Sequence, residues 1–202
     1  MFWDKVAGVY DIFADIINRK THKELCAKTA ELISSSDKVL ECACGTGLLS
    51  GVIAKRCKSL IATDISANML KKAKAKYKNY DNIEFEKGSI LQIEYPDEHF
   101  DTVVAANVIH LLDEPRRALA ELDRVCRKGG KIIIPTYMNK NDKGRTGSFA
   151  NAVGRAGADF KRHFTPDSYR SFFEEAGYKN AEYTLIQGKI PCVVAVIEKR
   201  IK

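Results

Sequence analysis

A short apolar segment that runs straight into a glycine turn most constrains the fold of this chain. Residues 39–43 (Val-Leu-Glu-Cys-Ala) read as a buried strand, and Gly45-Thr46-Gly47 is a turn that only small residues allow. From Leu48 onward the apolar residues have helical spacing. A strand, a glycine turn and a helix form the start of a nucleotide-binding unit, because the backbone can approach a ligand closely and the helix presents unpaired N–H groups. The same turn also occurs in purely structural settings, so the rest of the chain must decide.

Apolar runs and helical patterns alternate along the chain. Four further strands of the β/α type are expected at residues 60–64, 83–86, 100–106 and 131–134. Two final strands, at about 182–187 and 192–198, are joined by a link too short for a parallel crossover, so they must form an antiparallel hairpin. The pattern predicts an α/β fold with a doubly wound open sheet.

We interpret the chain as a single domain with four segments. Residues 1–36 are expected to form N-terminal helices that act as a lid, with a capping box at Thr21 opening the second helix. Residues 37–137 form the ligand-binding core, 138–164 a substrate-side insert, and 165–202 a helix plus the terminal hairpin. The glycines at 129 and 130 are expected to stop the helix before the fifth strand.

Composition limits the classes of function. The chain has 202 residues, enough for one sizeable core, and 33 basic and 26 acidic side chains give a net charge of +7. Lysines between positions 71 and 78 share one helix, which we interpret as a solvated face, so nucleic acid is not the expected partner. We expect neither a signal peptide nor a membrane span. Six cysteines without a disulfide framework favour a reducing, cytoplasmic location.

The predicted ligand edge lies beyond the carboxyl ends of the strands, near the point where strand order reverses. Asp64 ends the second strand, 17 positions after Gly47. That spacing suits an acid that accepts hydrogen bonds from ribose hydroxyls, about 20 residues after the glycine turn. The alternative is that Asp64 only caps the next turn; with the glycine turn in place, we favour the ribose role.

Four motifs carry a resemblance to a known family. Residues 41–47 (Glu-x-Ala-x-Gly-Thr-Gly) resemble motif I of the class I S-adenosylmethionine-dependent methyltransferases, and Asp64 resembles their second-strand acid. Residues 100–112 resemble the fourth-strand motif, and 124–130 the glycine-ended stretch before strand five. The opening residues 2–11 are similar to the ubiquinone/menaquinone-biosynthesis-type branch. The resemblance covers nearly the whole chain from Val39. It implies a Rossmann-like, seven-stranded sheet, mostly parallel with an antiparallel last strand, and S-adenosyl-L-methionine as cofactor.

The resemblance also implies roles for individual residues. The backbone of the turn and Glu41 would face the amino-acid end of the cofactor, with Glu41 near its α-ammonium group, and Asp64 would hold the ribose. Ser89 replaces an acid that receives the adenine amino group in many relatives, which leaves more of adenine binding to Ile90. The cofactor-binding residues implied in this way are Tyr10, Glu41, Ala43, Gly45, Thr46, Gly47, Asp64, Ile65, Met69, Ser89, Ile90, Asn107 and Val108. Tyr10 would belong to the lid, Ile65 and Met69 would flank adenine, and Asn107 and Val108 would lie near the methionine portion.

A methyl transfer of this kind is an in-line displacement that needs alignment and exclusion of water, and needs a base only if the acceptor must lose a proton. Three side chains are candidates for that base: His110, Tyr137 and His163. For His110 we favour a structural role over that of a base. For Tyr137 a place in the pocket wall is as well supported as the role of a base. The insert carries Arg145, Arg155, Lys161 and Arg162, which either hold an anionic group or are ordinary surface charge.

Cys42 and Cys44 are expected to point the same way at strand spacing, but no second ligand pair stands at a recognisable interval, so no metal is expected. The expected acceptor of the methyl group is a small molecule, and the oligomeric state is left open. Three alternatives remain. The first is a nicotinamide-dependent oxidoreductase. Its fingerprint needs a third small residue after the turn for close helix packing, and this chain offers only Ser50 at that position. An RNA or other nucleic acid methyltransferase, and a non-catalytic binding partner of S-adenosylmethionine, are the other two.

Overall fold

The computed structural model describes the backbone of residues 10–138 and 161–201, and the side chains of 18–138 and 161–201. Five α-helices lie in this part of the chain: α1 (Tyr10–Leu32), α2 (Ser50–Ala54), α3 (Ala67–Lys76), α4 (Pro115–Val125) and α5 (Pro166–Glu175). The strands are β1 (Lys38–Cys42), β2 (Ser59–Asp64), β3 (Ile83–Lys87), β4 (Phe100–Ala105), β5 (Cys126–Tyr137), β6 (Glu182–Ile186) and β7 (Cys192–Glu198). A short 3-10 turn, Ile109–Leu111, follows β4.

All seven strands form one sheet in the order β3-β2-β1-β4-β5-β7-β6. Strands β1 to β5 pair in parallel, whereas β7 pairs antiparallel with both β5 and β6. The predicted doubly wound, Rossmann-like sheet with an antiparallel last strand is confirmed. Strand order reverses between β1 and β4, which places the crevice for a ligand at their carboxyl ends.

Helices cover both faces of the sheet, because its central strands are apolar on both sides. On one face α4 and α5 bury Leu122, Tyr169 and Phe173 against the sheet. On the other face α1, α2 and α3 bury residues such as Leu25 and Ile53.

Three predicted boundaries were wrong. The helix expected from Leu48 begins at Ser50 and has only five residues. The N-terminal helices are continuous except for a break at Asn18, whose φ of −133° is not helical, so Thr21 does not open a new helix. Helix α4 ends at Val125, before the two glycines, and residues 126–130 already belong to β5. A Cβ on Gly130 would lie 2.5 Å from the Asp101 carbonyl, so this glycine serves the close approach of β5 to β4.

The break in α1 is clamped to the link between β6 and β7. The Asn18 side chain donates to the Ile190 carbonyl (2.8 Å) and accepts from the Ile190 N–H (3.2 Å). The Thr21 hydroxyl donates to Asn18 Oδ1 at 2.7 Å. A Cβ on Gly188 would lie 1.9 Å from Thr21 Oγ1, so the link passes as close to α1 as a glycine permits. Because this link joins the carboxyl end of β6 to β7, α1 is anchored at the ligand edge of the sheet.

Two further observations concern cysteines and helix length. All six cysteines lie in the described residues, and none of them forms a disulfide there. Among the helices that the structure describes, none combines the length and the apolar character needed to cross a bilayer.

Candidate active site

A cleft of about 250 Å³ opens at the carboxyl edge of the sheet, where the loops after β1, β2, β3 and β4 meet. It coincides with the reversal of strand order between β1 and β4. Most of the residues proposed for cofactor binding line this cleft: Glu41, Ala43, Gly45, Thr46, Asp64, Ile65, Met69, Ser89, Ile90, Asn107 and Val108. Their side-by-side arrangement is a property of the fold, while contact with a cofactor stays a prediction.

Gly47 is the one proposed cofactor residue with a described environment that is not among the described residues of the cleft wall. Gly47 lies behind the turn, where its N–H donates to the Cys44 carbonyl at 2.9 Å and its own carbonyl accepts from the Tyr77 hydroxyl at 2.7 Å. Its φ of +83° explains the need for glycine. Tyr10 begins α1, but its side chain lies outside the described residues.

Asp64 fixes the glycine turn to the end of β2. One carboxylate oxygen accepts from the Gly45 N–H at 2.9 Å, and the other accepts from the Ser66 N–H at 2.8 Å. The Cys44 N–H adds a backbone hydrogen bond to the Thr63 carbonyl at 2.9 Å. Each carboxylate oxygen has two acceptor positions, so this anchoring is compatible with a ribose role. Asp64 therefore shapes the turn as well as lining the cleft, and its ribose role stays a prediction.

Glu41 is a buried carboxyl at the floor of the cleft. It is 2% exposed, and the Ser50 hydroxyl donates to it at 2.5 Å. Burial raises the pKa of Glu41 to about 8; the Ser50 hydrogen bond opposes that rise, and the charge of Asp64 adds to it. No ion pair joins Glu41 to a cationic side chain within the described part of the chain. A buried acid without a cation suits a ligand that brings a positive charge of its own.

Two residues at the ends of neighbouring strands have left-handed backbones. Ala43 follows β1 with φ of +54°, and Asn107 follows β4 with φ of +53°. The Asn107 side chain accepts from the Tyr137 N–H at 3.1 Å, which ties the ends of β4 and β5 together. The turn at Ala43 interrupts the strand alternation, so Cys42 and Cys44 pack into cores on opposite faces of the sheet. The expectation that these thiols point the same way was wrong.

The two thiols are also poorly suited to hold a metal. Burial raises the pKa of the Cys42 thiol to about 12, which disfavours the thiolate form that a metal needs. Among the residues that the structure describes, no three His, Cys, Asp or Glu side chains lie close enough together to hold a metal ion.

The three candidate bases lie outside the lining of the cleft. His110 is buried in the 3-10 turn, and burial, aided by the nearby His163, lowers its pKa to about 4. His163 is exposed. The Tyr137 hydroxyl, at the end of β5, forms a hydrogen bond with the His22 ring of α1. The Tyr137 backbone N–H donates to the side chain of Asn107, a residue of the cleft wall.

Two basic residues of the insert, Lys161 and Arg162, contact the loop after β4. The Arg162 backbone N–H donates to the His110 carbonyl at 3.1 Å, and its guanidinium donates to the Leu112 carbonyl at 2.6 Å. Lys161 forms an ion pair with Asp113 at 3.1 Å. Arg145 and Arg155 lie outside the described residues.

Sequence reasoning missed the apolar wall of the cleft and one histidine. The wall residues follow the ends of β1, β3 and β4: Leu48, Leu49, Leu91, Leu111 and Leu112. Their position just after strand ends was the available signal, although the same leucines also fit helix cores. Nothing in the local sequence around His22 points to Tyr137, which is 115 positions away.

Comparison with known proteins shows similarity to methyltransferases. A family model described as a methyltransferase domain matches residues 40–134. A phosphatidylethanolamine N-methyltransferase from Cereibacter sphaeroides is 33% identical over 129 residues, which is 62% of this chain and 63% of that protein. The chain thus spans less than two thirds of that relative.

A second relative is matched over more of its length. A ubiquinone/menaquinone biosynthesis C-methyltransferase UbiE from Francisella philomiragia is 25% identical and is covered over 84% of its length by 92% of this chain. The fold also matches a SAM-dependent methyltransferase from Thermotoga maritima, described as a possible histamine N-methyltransferase, with a TM-score of 0.75 at 19% identity over 98% of this chain and 99% of that one. The chain is therefore similar to S-adenosylmethionine-dependent methyltransferases, and its relatives include one of the UbiE type.

Proposed function

We propose that this protein is an S-adenosylmethionine-dependent methyltransferase that acts on a small-molecule acceptor. The observation that carries the proposal is the pairing of an anchored glycine turn with two acids in one cleft. Asp64 holds the Gly45 N–H at 2.9 Å, and Glu41 lies buried beside it. A nucleoside linked to a cationic amino acid matches this arrangement, because hydroxyls and an ammonium group both seek carboxylate acceptors.

In this proposal each wall of the cleft binds a different part of the cofactor. The turn and Glu41 hold the amino-acid end, Asp64 holds the ribose, and Ile65, Met69, Ser89 and Ile90 surround the adenine. Asn107 and Val108 lie on the β4 side, near the methionine portion. When bound, S-adenosylmethionine supplies a methyl group on a positively charged sulfur, so the protein's task is to align the acceptor and keep water out.

The acceptor is proposed to approach from the ends of β4 and β5. Tyr137 lies there; its backbone N–H donates to the Asn107 side-chain oxygen, and its hydroxyl forms a hydrogen bond with the His22 ring. If the acceptor must lose a proton, the Tyr137 oxygen would receive it while the phenol passes its own proton to the His22 imidazole. His110 is less suited as a base, since burial lowers the pKa of its ring to about 4.

The names of the relatives narrow the acceptor class. They include a phosphatidylethanolamine N-methyltransferase and a ubiquinone/menaquinone C-methyltransferase, whose substrates are lipid-type small molecules. We propose an acceptor of this type, and a cytoplasmic location consistent with six cysteines that form no disulfide within the described residues. An RNA acceptor is the runner-up.

The proposal is tested in two steps with the purified protein. Calorimetric titration with S-adenosylmethionine, S-adenosylhomocysteine and NAD should give binding of the first two and none of the third. Incubation with methyl-labelled cofactor and separate lipid, small-molecule and RNA fractions of a cell extract should then label the lipid fraction. Tight NAD binding without S-adenosylmethionine binding would overturn the proposal. Binding with no labelled product in any fraction would favour a non-catalytic role.

A further inference from the structure

A tyrosine that does not line the cleft lies directly behind the glycine turn. Tyr77 follows the last residue of α3, and its hydroxyl donates to the Gly47 carbonyl at 2.7 Å. Its ring lies between this turn and the start of α2. The residues that line the cleft do not include Tyr77. The contact is therefore made from behind, on the side of the turn opposite to the ligand.

Two glycines leave space for this ring. A Cβ on Gly47 would lie 2.6 Å from Cε2 of Tyr77, and a Cβ on Gly51 would lie 2.4 Å from Cε1. Gly47 also needs glycine because its φ is +83°. Gly51 has no such need, since it lies within α2, where alanine is the better helix former. The ring of Tyr77 thus gives a physical reason for glycine at position 51.

The ring is itself held in place by its neighbours. Phe85 of β3 stacks on it, with 6.3 Å between ring centroids and 19° between planes. Tyr80 packs edge-on at 5.4 Å, and the Lys76 ammonium lies 5.3 Å from the ring centre. Contacts of this kind favour a fixed ring position. A turn that rests on a fixed ring has less freedom to move away from a bound ligand.

We propose that Tyr77 is a positioning residue that sets the Gly45–Gly47 turn for the amino-acid end of the cofactor. The inference rests on the proposed function, because it assigns that end of S-adenosylmethionine to the turn. Asp64 holds the turn from the β2 side through Gly45, and Tyr77 holds it from behind through Gly47. Loss of the ring should therefore weaken binding of the amino-acid portion and leave the nucleoside portion unaffected.

Two ligands separate this role from a general loss of structure. S-adenosylhomocysteine contains the amino-acid portion, and 5′-methylthioadenosine contains the same nucleoside without it. For Tyr77→Phe, which loses one hydrogen bond, we expect the Kd of S-adenosylhomocysteine to rise about 2- to 10-fold. For Tyr77→Leu we expect a larger rise, and for both variants the Kd of methylthioadenosine should stay within about twofold of wild type. Tyr80→Phe is the matched control, since it removes a neighbouring hydroxyl that does not touch the turn, and it should leave both constants unchanged.

A double-mutant cycle tests the same contact from the opposite partner. Gly51→Ala should raise the Kd of S-adenosylhomocysteine in the wild-type background, because the added methyl group displaces the ring. In the Tyr77→Leu background the same substitution should have less than about a twofold effect, since the colliding ring is absent. If Tyr77→Leu does not fold, Tyr77→Phe and Gly51→Ala still test the inference with the two ligands.

The outcomes distinguish this inference from the proposed function. Equal weakening of both ligands, or unchanged binding of S-adenosylhomocysteine in Tyr77→Phe and Gly51→Ala, would overturn the role of Tyr77. Failure of wild-type protein to bind either S-adenosylmethionine or S-adenosylhomocysteine would instead overturn the proposed function.

Discussion

The Ser50 hydroxyl donates to the Glu41 carboxyl across 2.5 Å, and this contact is the main stabilisation that the buried acid receives. In the unfolded chain the carboxyl has its ordinary pKa of 4.5, whereas burial raises the folded-state pKa to about 8. The stability associated with protonated Glu41 is therefore fully present below about pH 4.5 and is lost as the pH rises toward 8.

Replacement of Glu41 by glutamine should remove this pH dependence. Relative to wild type, the free energy of unfolding of Glu41→Gln should increase by about 3 kcal/mol between pH 4.5 and pH 7. Urea unfolding of the cofactor-free protein across this range measures the difference. Glu84→Gln makes the same change at an exposed site and should follow wild type throughout. A difference between Glu41→Gln and wild type that does not change with pH would contradict the prediction.

Cofactor binding should release a proton from Glu41. An ammonium group beside the carboxyl favours its ionised form, so the affinity for S-adenosylmethionine should rise between pH 6 and pH 7. Calorimetry at pH 7 in buffers of different ionisation enthalpy measures the protons released. Glu41→Gln should abolish the release, and Glu84→Gln should retain it. Binding by wild type without any proton release would refute the assignment of the ammonium group to Glu41.

Substitution of Asp64 should affect both the turn and the ligand. Asp64→Ala leaves the N–H groups of Gly45 and Ser66 without their acceptors, so stability should fall by about 1–3 kcal/mol. Separately, the binding free energy of S-adenosylmethionine should weaken by about 1.5–3 kcal/mol or more, because the ribose hydrogen bonds are lost. Unfolding and calorimetric titration separate the two effects, with the exposed Asp81→Ala as control. Unchanged affinity would show that Asp64 serves the turn alone.

Ala43 should be improved by glycine. A φ of +54° costs an L-residue roughly 1–2 kcal/mol, and glycine would remove this strain. Part of that gain is lost, because glycine also gives the unfolded chain more conformational freedom. We expect Ala43→Gly to raise the free energy of unfolding by about 0.5–1 kcal/mol. Ala105→Gly, at the end of the extended β4, should lower it. Equal destabilisation by both substitutions would contradict this account.

Local patterns were sufficient for most of the fold. The apolar runs that became β1, β2 and β4, the short link before Cys192 and the spacing of Asp64 each depend on neighbouring residues alone. Ser66 caps α3 through a local contact of the same kind, since its hydroxyl accepts from the Met69 N–H at 3.2 Å. These features follow from periodicity and side-chain chemistry, which the sequence displays directly.

The features that were missed depend on distant partners. The break in α1 occurs at Asn18 because Ile190 is there to receive its amide, and no pattern near Asn18 announces that contact. The pairing of His22 with Tyr137 and the opposite directions of Cys42 and Cys44 are of the same kind. Cys42 and Cys44 point in opposite directions because Ala43, between them, has a left-handed backbone. Alanine usually continues a strand or a helix, so the sequence does not indicate this turn.

The clamp between Asn18 and Ile190 joins positions that are 172 residues apart. A ribosome releases α1 early, but its clamp to the link between β6 and β7 can form only after Ile190 has been made. The newborn protein must therefore carry α1 without this clamp through most of its own synthesis. An interrupted translation product would contain the glycine turn and α1, but α1 would not yet be anchored at the ligand edge.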